Sequence, residues 1–409
     1  MFRKITLSIT LIVILFSTSI CFATTKDALY VWSNNSINNT IETTNNVTTG
    51  EGNFLNLTSG SAILIEQSTG TVLYDHNMHE QLRPASVTKV MTLLLIMEAI
   101  DNNVISLEDS VPCSENAASM GGSQIWLDTT ETLTVHEMLK AICVVSANDA
   151  SVAMAEFIAG SEELFVEQMN AKAKELGMND TCFKNCHGID EDGHVTSSHD
   201  IALMSRELLT KHPKITEYTT IWMDSLRNGE SELVNTNKLL RNYEGCTGLK
   251  TGSTSVALFN LSASATRNDL SLIAVIMRGE TSAIRFEEAK KLLDYGFSTY
   301  EYLECAKEGD TCKTLEVNKG TTSTVQVIYK TNSGALVKKG EAKNVASKID
   351  LDKKISAPIK KGQKLGEVTY SLNDKVIATT DLVAKQEVRK LNLINMFTYA
   401  FGKWFNLLR

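Results

Sequence analysis

The chain has 409 residues, 43% hydrophobic and 22% charged, which suffices for two or three soluble globular domains. A net charge of -8 argues against a nucleic-acid binder, which carries a basic face, although a local basic patch closes the C-terminus.

Residues 1–23 read as an export signal. Arg3 and Lys4 precede an apolar run from Ile5 to Phe16, too short for a membrane span of about 20 residues, and cleavage is expected after Ala23. Export permits disulfides, but of eight cysteines Cys21 leaves with the signal, so an odd number remains and full pairing within one chain is impossible. Cys182 with Cys186 and Cys305 with Cys312 are near enough in sequence to pair. Residues 24–59 are rich in Asn and Thr and poor in apolar side chains, and are expected to form a flexible leader.

From Ser61 the texture changes. Ser61 to Glu66 and Thr71 to Tyr74 flank Ser68-Thr69-Gly70 and predict a hairpin. Pro84 to Met97 predicts a helix with proline at its start, apolar all round and so buried. Thr134 with Glu137 forms a capping-box pattern before a helix running to Val145, and a second helix is predicted from Ser151 to Ala159. Ile201 to Leu209 and Ile284 to Tyr295 carry helical periodicity. Between them, Phe259 to Ala265 and Leu270 to Met277 predict strands joined at Arg267-Asn268-Asp269. This order implies an α/β domain, residues 60–300, with a central sheet covered by helices. Residues 301–386 predict a small β-rich domain of short strands, including Thr324 to Tyr329, Gly366 to Tyr370 and Lys375 to Thr379.

Residues 387–409 predict an amphipathic helix. Leu391, Ile394, Phe397, Phe401, Trp404, Phe405 and Leu408 recur at helical spacing, while Arg389, Lys390, Lys403 and Arg409 are basic and no acid follows Glu387. That pattern suits a helix lying in a membrane interface, or one docked on the β-rich domain; the expectation is peripheral attachment to the outer face of the cytoplasmic membrane.

Three short motifs carry chemistry. Ser86-Val87-Thr88-Lys89 at a helix start places a hydroxyl and an amine one turn apart on one face. A Ser hydroxyl needs a base, and a Lys becomes one when burial or neighbouring positive charge lowers its pKa. Ser146-Ala147-Asn148 falls between two predicted helices, where a hydroxyl can relay a proton and an amide can hold both Lys89 and substrate. Lys250-Thr251-Gly252 follows Gly245 and Gly248; the Lys and Thr suit a carboxylate, and the Gly lets a substrate backbone lie close to the strand. Each motif alone is common. Together, in this order and on these elements, they form the set shared by β-lactamases and penicillin-binding proteins.

The chain resembles the serine D-alanyl-D-alanine carboxypeptidases, the low-molecular-mass penicillin-binding proteins. Besides the three motifs, the stretches Gly122 to Leu127, Val145 to Ala150, His187-Gly188-Ile189-Asp190, Gly248 to Gly252 and Lys290 to Phe297 are similar to the family's text. The resemblance implies a β-lactamase/transpeptidase-like α/β fold with an antiparallel sheet and a helical subdomain, then a β domain. It implies that Ser86 attacks the carbonyl between two D-alanines of a peptidoglycan pentapeptide stem, with Lys89 as base. Ser146 and Asn148 would assist proton transfer and substrate binding. Lys250, Thr251 and Arg285 would hold the terminal carboxylate, and the backbone N–H groups of Ser86 and Ser253 would form the oxyanion hole. β-Lactams would acylate Ser86, and no cofactor is implied. One departure is visible: Leu258 stands where the family usually has glycine or another small or polar residue.

Three other readings fit the sequence less well. Cys182, Cys186, His187, His194 and His199 lie close in sequence, but not at zinc-finger or ribbon spacing, so no metal is expected. A serine β-lactamase shares the motifs but lacks a β domain and basic tail. A catalytically idle wall-binding protein would not need Ser86, Lys89, Ser146 and Lys250 intact.

Overall fold

The computed structural model describes residues 53–352, 355–392 and 397. The expected signal and most of the leader therefore lie outside the described residues, as does nearly all of the expected C-terminal helix beyond Asn392.

Strands β1 (Ser61–Glu66) and β2 (Val72–His76) form the expected hairpin. A 3-10 turn over Ala85–Thr88 leads into helix α1 (Lys89–Asp101), followed by α2 (Val135–Val144), α3 (Asn148–Ala159), α4 (Glu162–Glu175) and α5 (Ser198–Lys211). Strands β3 (Cys246–Thr254), β4 (Leu258–Arg267) and β5 (Leu270–Gly279) complete the sheet before α6 (Ser282–Thr299). The sheet order is β2-β1-β5-β4-β3 and every pairing is antiparallel. The turn between β4 and β5 is Asn268-Asp269, both at positive φ of 48° and 64°, the two-residue geometry that asparagine and aspartate tolerate.

Alternation along the strands divides the domain into two cores. Ile63 and Ile65 of β1, with Ile273, Val275 and Met277 of β5, face the helical cluster built on Val90, Leu93, Leu94 and Met138. Their neighbours Leu64, Leu272, Ala274 and Ile276 face the opposite way, onto Phe286, Leu292 and Leu293 of α6. A sheet covered on both faces reads as an unbroken apolar run, as Leu272 to Met277 does. Helix α1 is buried almost throughout, as its all-round apolarity predicts.

Beyond Thr299 the chain forms strands with a third core of Val325, Val327, Val368 and Leu382 among others. Six strands form one sheet, and Tyr300–Ala306 pairs with Ser333–Lys338.

Four local expectations differ from the structure. Residues 53–59, expected to end the leader, are packed: Phe54 meets the rings of Tyr74 and Tyr295, Leu57 is buried, and the Glu288 carboxylate accepts from the backbone N–H groups of Thr58 and Ser59. A few apolar anchors and one buried carboxylate hold a stretch whose composition alone predicts no structure. At the other end, residues 388–390 are extended instead of helical. Val388 pairs with Ile359 and Lys390 with Gly320, and Val388 is fully buried in the third core. Ser86 sits in a 3-10 turn, not in the α-helix, which begins at Lys89. Helix α3 begins at Asn148, three residues earlier than predicted.

The capping box at the start of α2 is complete: Thr134 Oγ1 accepts from Glu137 N–H while the Glu137 carboxylate accepts from Thr134 N–H at 2.9 Å. Replacing Thr134 with Ala is expected to cost about 1 kcal/mol and to lower the melting temperature by about 2–4 °C in a thermal scan. An unchanged melting temperature would mean that packing alone fixes this helix start.

Candidate active site

The three motifs meet between the β3 edge of the sheet and the helical cluster. Lys89 begins α1 and is fully buried. Its Nζ lies 2.6 Å from Asn148 Oδ1, 2.6 Å from the His187 carbonyl and 3.2 Å from Ser86 Oγ. Burial and the neighbouring positive charge of Lys250 push the Lys89 pKa well below the ordinary lysine value. A neutral amine has two hydrogens and one lone pair. The Asn148 and His187 oxygens accept both hydrogens, which leaves the lone pair for the Ser86 hydroxyl. Ser86 is only half-buried, so substrate can reach it.

The nucleophile turn is held from three sides. Asn260 of β4 donates through Nδ2 to the Arg83 and Pro84 carbonyls at 2.8 and 2.9 Å. Gly252 lies against the turn so closely that a Cβ there would be 2.8 Å from both Ser86 N and Val87 N. The glycine of the third motif is thus required by the chain's own backbone, beyond the close substrate approach expected of it. Gly188, at a φ of 91°, passes the other side, where a Cβ would meet the Ala85 carbonyl oxygen at 1.9 Å.

The second motif is fixed by its own neighbours. Asn148 donates its N–H to the Ser123 carbonyl and Nδ2 to the Gly121 carbonyl, both at 2.7 Å. The fully buried Asp149 accepts from Ile125 N–H and Leu127 N–H, and so suspends the 121–127 loop, with Trp126 at its exposed tip, beside Asn148. Ser146 has a φ of 66°, and its buried Oγ has no hydrogen-bond partner among the described residues.

The third motif lies on β3. Lys250 is buried, with one hydrogen bond from Nζ, to the Thr251 carbonyl at 2.8 Å, and burial pushes its pKa down to about 7. Thr251 Oγ1 is 2.6 Å from Thr236 Oγ1. Ser253 is exposed and pairs with Phe259 across the strands. Arg285 on α6 donates through Nη1 to the Gly252 carbonyl at 3.0 Å and the Asn260 carbonyl at 3.3 Å; burial lowers its pKa to about 10. Its Nε is buried and unpartnered. Lys250 and Arg285 make this a pocket for an anionic group. Leu258, the departure noted in the sequence, follows at a φ of 57°, a conformation that glycine adopts without strain.

The histidines near the site are spoken for. His187 Nδ1 accepts from Ile189 N–H, and burial drives its pKa down to about 3, so its 3.5 Å approach to Glu162 is no ion pair. His194 Nδ1 accepts from Lys184 N–H and its Nε2 meets Thr88 Oγ1 at 2.8 Å. The seven described cysteines are free. The sequence points to Ser86, Lys89, Ser146, Asn148 and Lys250 through Gly252; the structure brings Ser86, Lys89 and Asn148 within hydrogen-bond reach, sets Gly252 against the Ser86 backbone and places the Lys250 charge near Lys89, while Ser146 lies two residues before Asn148. The sequence does not single out Asn260, and it names Gly188 only within the stretch similar to the family's text. The one signal for Asn260 is a lone amide inside an otherwise apolar and small-residue strand.

The family model described as D-alanyl-D-alanine carboxypeptidase matches residues 45–281, and that of the penicillin-binding protein 5 C-terminal domain matches residues 300–390. The D-alanyl-D-alanine carboxypeptidase DacF of Bacillus subtilis is 46% identical over 348 residues, 84% of this chain and 89% of its own length. DacC of Escherichia coli is 33% identical, covering 84% and 90%. Penicillin-binding protein 5 from Haemophilus influenzae superposes with a TM-score of 0.69 at 31% identity, over 82% of this chain and 98% of its own. Penicillin-binding protein D2 from Listeria monocytogenes, in its ampicillin-bound form, superposes with a TM-score of 0.55 at 31% identity, over 59% and 99%.

The two lowered lysine pKa values have opposite consequences for acylation by a fluorescent penicillin. Only unprotonated Lys89 can take the Ser86 proton, so the apparent second-order rate constant is expected to rise as pH increases through its depressed pKa. Lys250 attracts a carboxylate only while protonated, so the same constant is expected to fall once pH exceeds about 7. Lys250→Arg keeps its charge and is expected to move that fall to higher pH. A falling limb unchanged in Lys250→Arg would assign it to another group.

Proposed function

The chain belongs to the D-alanyl-D-alanine carboxypeptidase family, and we propose that it removes the terminal D-alanine from peptidoglycan pentapeptide stems through an acyl-enzyme on Ser86. The observation that carries this reading is the buried Lys89 amine, 3.2 Å from Ser86 Oγ and 2.6 Å from both the Asn148 Oδ1 and the His187 carbonyl.

The terminal carboxylate docks on Lys250, Thr251 and Arg285. The scissile carbonyl oxygen lies in the backbone N–H groups of Ser86 and Ser253, where charge develops as the hydroxyl adds. Ser86 Oγ bonds to the carbonyl carbon as its proton moves to Lys89. Ser146 passes its proton to the departing D-alanine nitrogen and takes the one that Lys89 received from Ser86, the C–N bond breaks, and Asn148 holds both Lys89 and the substrate. Water then adds to the ester carbonyl, its proton goes to Lys89, and Ser86 Oγ leaves to regain a proton. A β-lactam, which carries an amide and a carboxylate in similar positions, acylates Ser86 by the same first step; the ampicillin-bound relative supports this. Trimming of this kind serves cell-wall remodelling.

Residues 60–300 are proposed as the catalytic unit and 301–386 as the β-rich unit, a division supported by their separate cores. Residues 1–23 are proposed as a signal peptide that delivers the protein outside the cytoplasmic membrane. Among the described residues no helix is long and apolar enough to cross a membrane. Peripheral attachment through the C-terminal segment is proposed on its sequence pattern alone.

Mass spectrometry of a D-Ala-D-Ala-terminated pentapeptide is expected to show loss of one alanine with the wild type. Ser86→Ala is expected to slow this at least about 10³-fold, and unchanged turnover in that variant would remove Ser86 from the reaction. Deleting residues 393–409, which spares the buried Val388, is expected to release the mature protein from anionic vesicles in flotation. Flotation equal to the full chain would place attachment elsewhere.

A further inference from the structure

The loop between β2 and the Ser86 turn runs past the start of α5. His79 of that loop meets Asp180 and His199 there, and each of the three offers one donor atom, all within 4.8 Å of one another. His79 Nδ1 is 2.8 Å from Asp180 Oδ2, and the two imidazole rings are 4.6 Å apart between centroids. The cluster uses none of the groups assigned to acylation.

A second tier of hydrogen bonds supports these donors. Asp200 is almost fully buried, and its Oδ1 accepts from His199 Nδ1 at 3.0 Å. That bond places the imidazole hydrogen on Nδ1 and leaves the Nε2 lone pair to bind a cation, the arrangement that orients liganding histidines. The other Asp200 oxygen accepts from Asp180 N–H and Thr181 Oγ1, and Ser197 Oγ donates to Asp180 Oδ2 at 3.0 Å. One buried carboxylate therefore positions two of the three donors.

We propose that His79, Asp180 and His199 form a binding site for a divalent transition-metal ion of the zinc class. Two imidazoles and a carboxylate suit zinc, whereas magnesium prefers oxygen donors. Zinc ligands at about 2.0–2.1 Å from a tetrahedral centre stand roughly 3.3 Å apart. The cluster must contract slightly to close, and the His79 side chain, 57% exposed, is free to turn. The same exposure leaves a fourth position for water.

The ion acts as a clip. The two segments it joins already share His199 N–H to the Met78 carbonyl at 3.0 Å, and the paired backbone bonds of Leu82 with Thr196. Ser86 lies seven residues beyond His79, so a metal here fastens the base of the nucleophile turn without touching the reacting atoms. The sequence, read by spacing, sets His199 among the wrong partners. Its partners His79 and Asp180 are 120 and 19 residues away in the chain and meet it only through the fold.

The mature protein, freed of metal with a chelator, is to be titrated with Zn²⁺ by calorimetry and scanned for thermal stability. The expected result is one equivalent bound and a melting temperature raised by about 2–4 °C at saturation, with no shift from Mg²⁺. His79→Ala, and separately Asp180→Asn, are expected to weaken binding at least tenfold and abolish the shift. Both are expected to react with fluorescent penicillin at the wild-type rate, which also establishes that they are folded. A wild type that binds no Zn²⁺, or variants that bind as tightly as wild type through the free cysteines, would overturn the proposal. So would an equal shift from Mg²⁺.

Discussion

A lysine amine enclosed on every side, its pKa pushed well below the ordinary value, is the constraint around which this protein is built. Removing an ammonium group from water costs several kcal/mol, so a buried lysine sheds its proton unless an anion compensates. Among the described residues no carboxylate bonds Lys89. Its partners are an amide oxygen and a backbone carbonyl, both of which accept hydrogens from a neutral amine, and a second buried lysine adds repulsion. The same helix start presents a hydroxyl at the remaining position.

Keeping that arrangement requires three distant segments to stay in register. Asn260 ties the sheet to the backbone just before Ser86, and Gly252 lets the strand come close enough to do so. On the other side, Asp149 suspends the 121–127 loop, while Asn148 spans that loop and Lys89. Arg285 ties the Gly252 and Asn260 carbonyls to α6, so the sheet edge that holds the Ser86 turn is tied to α6 as well. Most of these ties are polar groups in buried places, where an unmet partner is costly. They fix geometry more than they add stability.

The strain in the site falls where the chain changes direction. Ala85, Ser146 and Leu258 all adopt positive φ, a conformation that non-glycine residues occupy at a cost of about 1–2 kcal/mol. Each lies beside a residue of one of the three motifs or at the end of its strand. Such backbone is tolerated where surrounding bonds determine it, as Asn260 and Gly188 do for Ala85.

The sequence by itself determined what local chemistry can encode. The β1–β2 hairpin, the Thr134–Glu137 capping box, the Asn268-Asp269 turn and the apolar run of α1 are all short-range signals, and the structure contains them. Ser86, Lys89 and Lys250 were legible because short motifs carry them. The tertiary structure alone decided what depends on contacts between remote residues. It lowered the Lys89 pKa by enclosing it, gave Gly252 a duty toward the Ser86 backbone, and recruited Asn260. It also packed residues 53–59 and drew Val388 into a β core, against their composition and periodicity. Burial and close approach are properties of three-dimensional neighbours, and a linear pattern specifies a residue's neighbours only within a few positions.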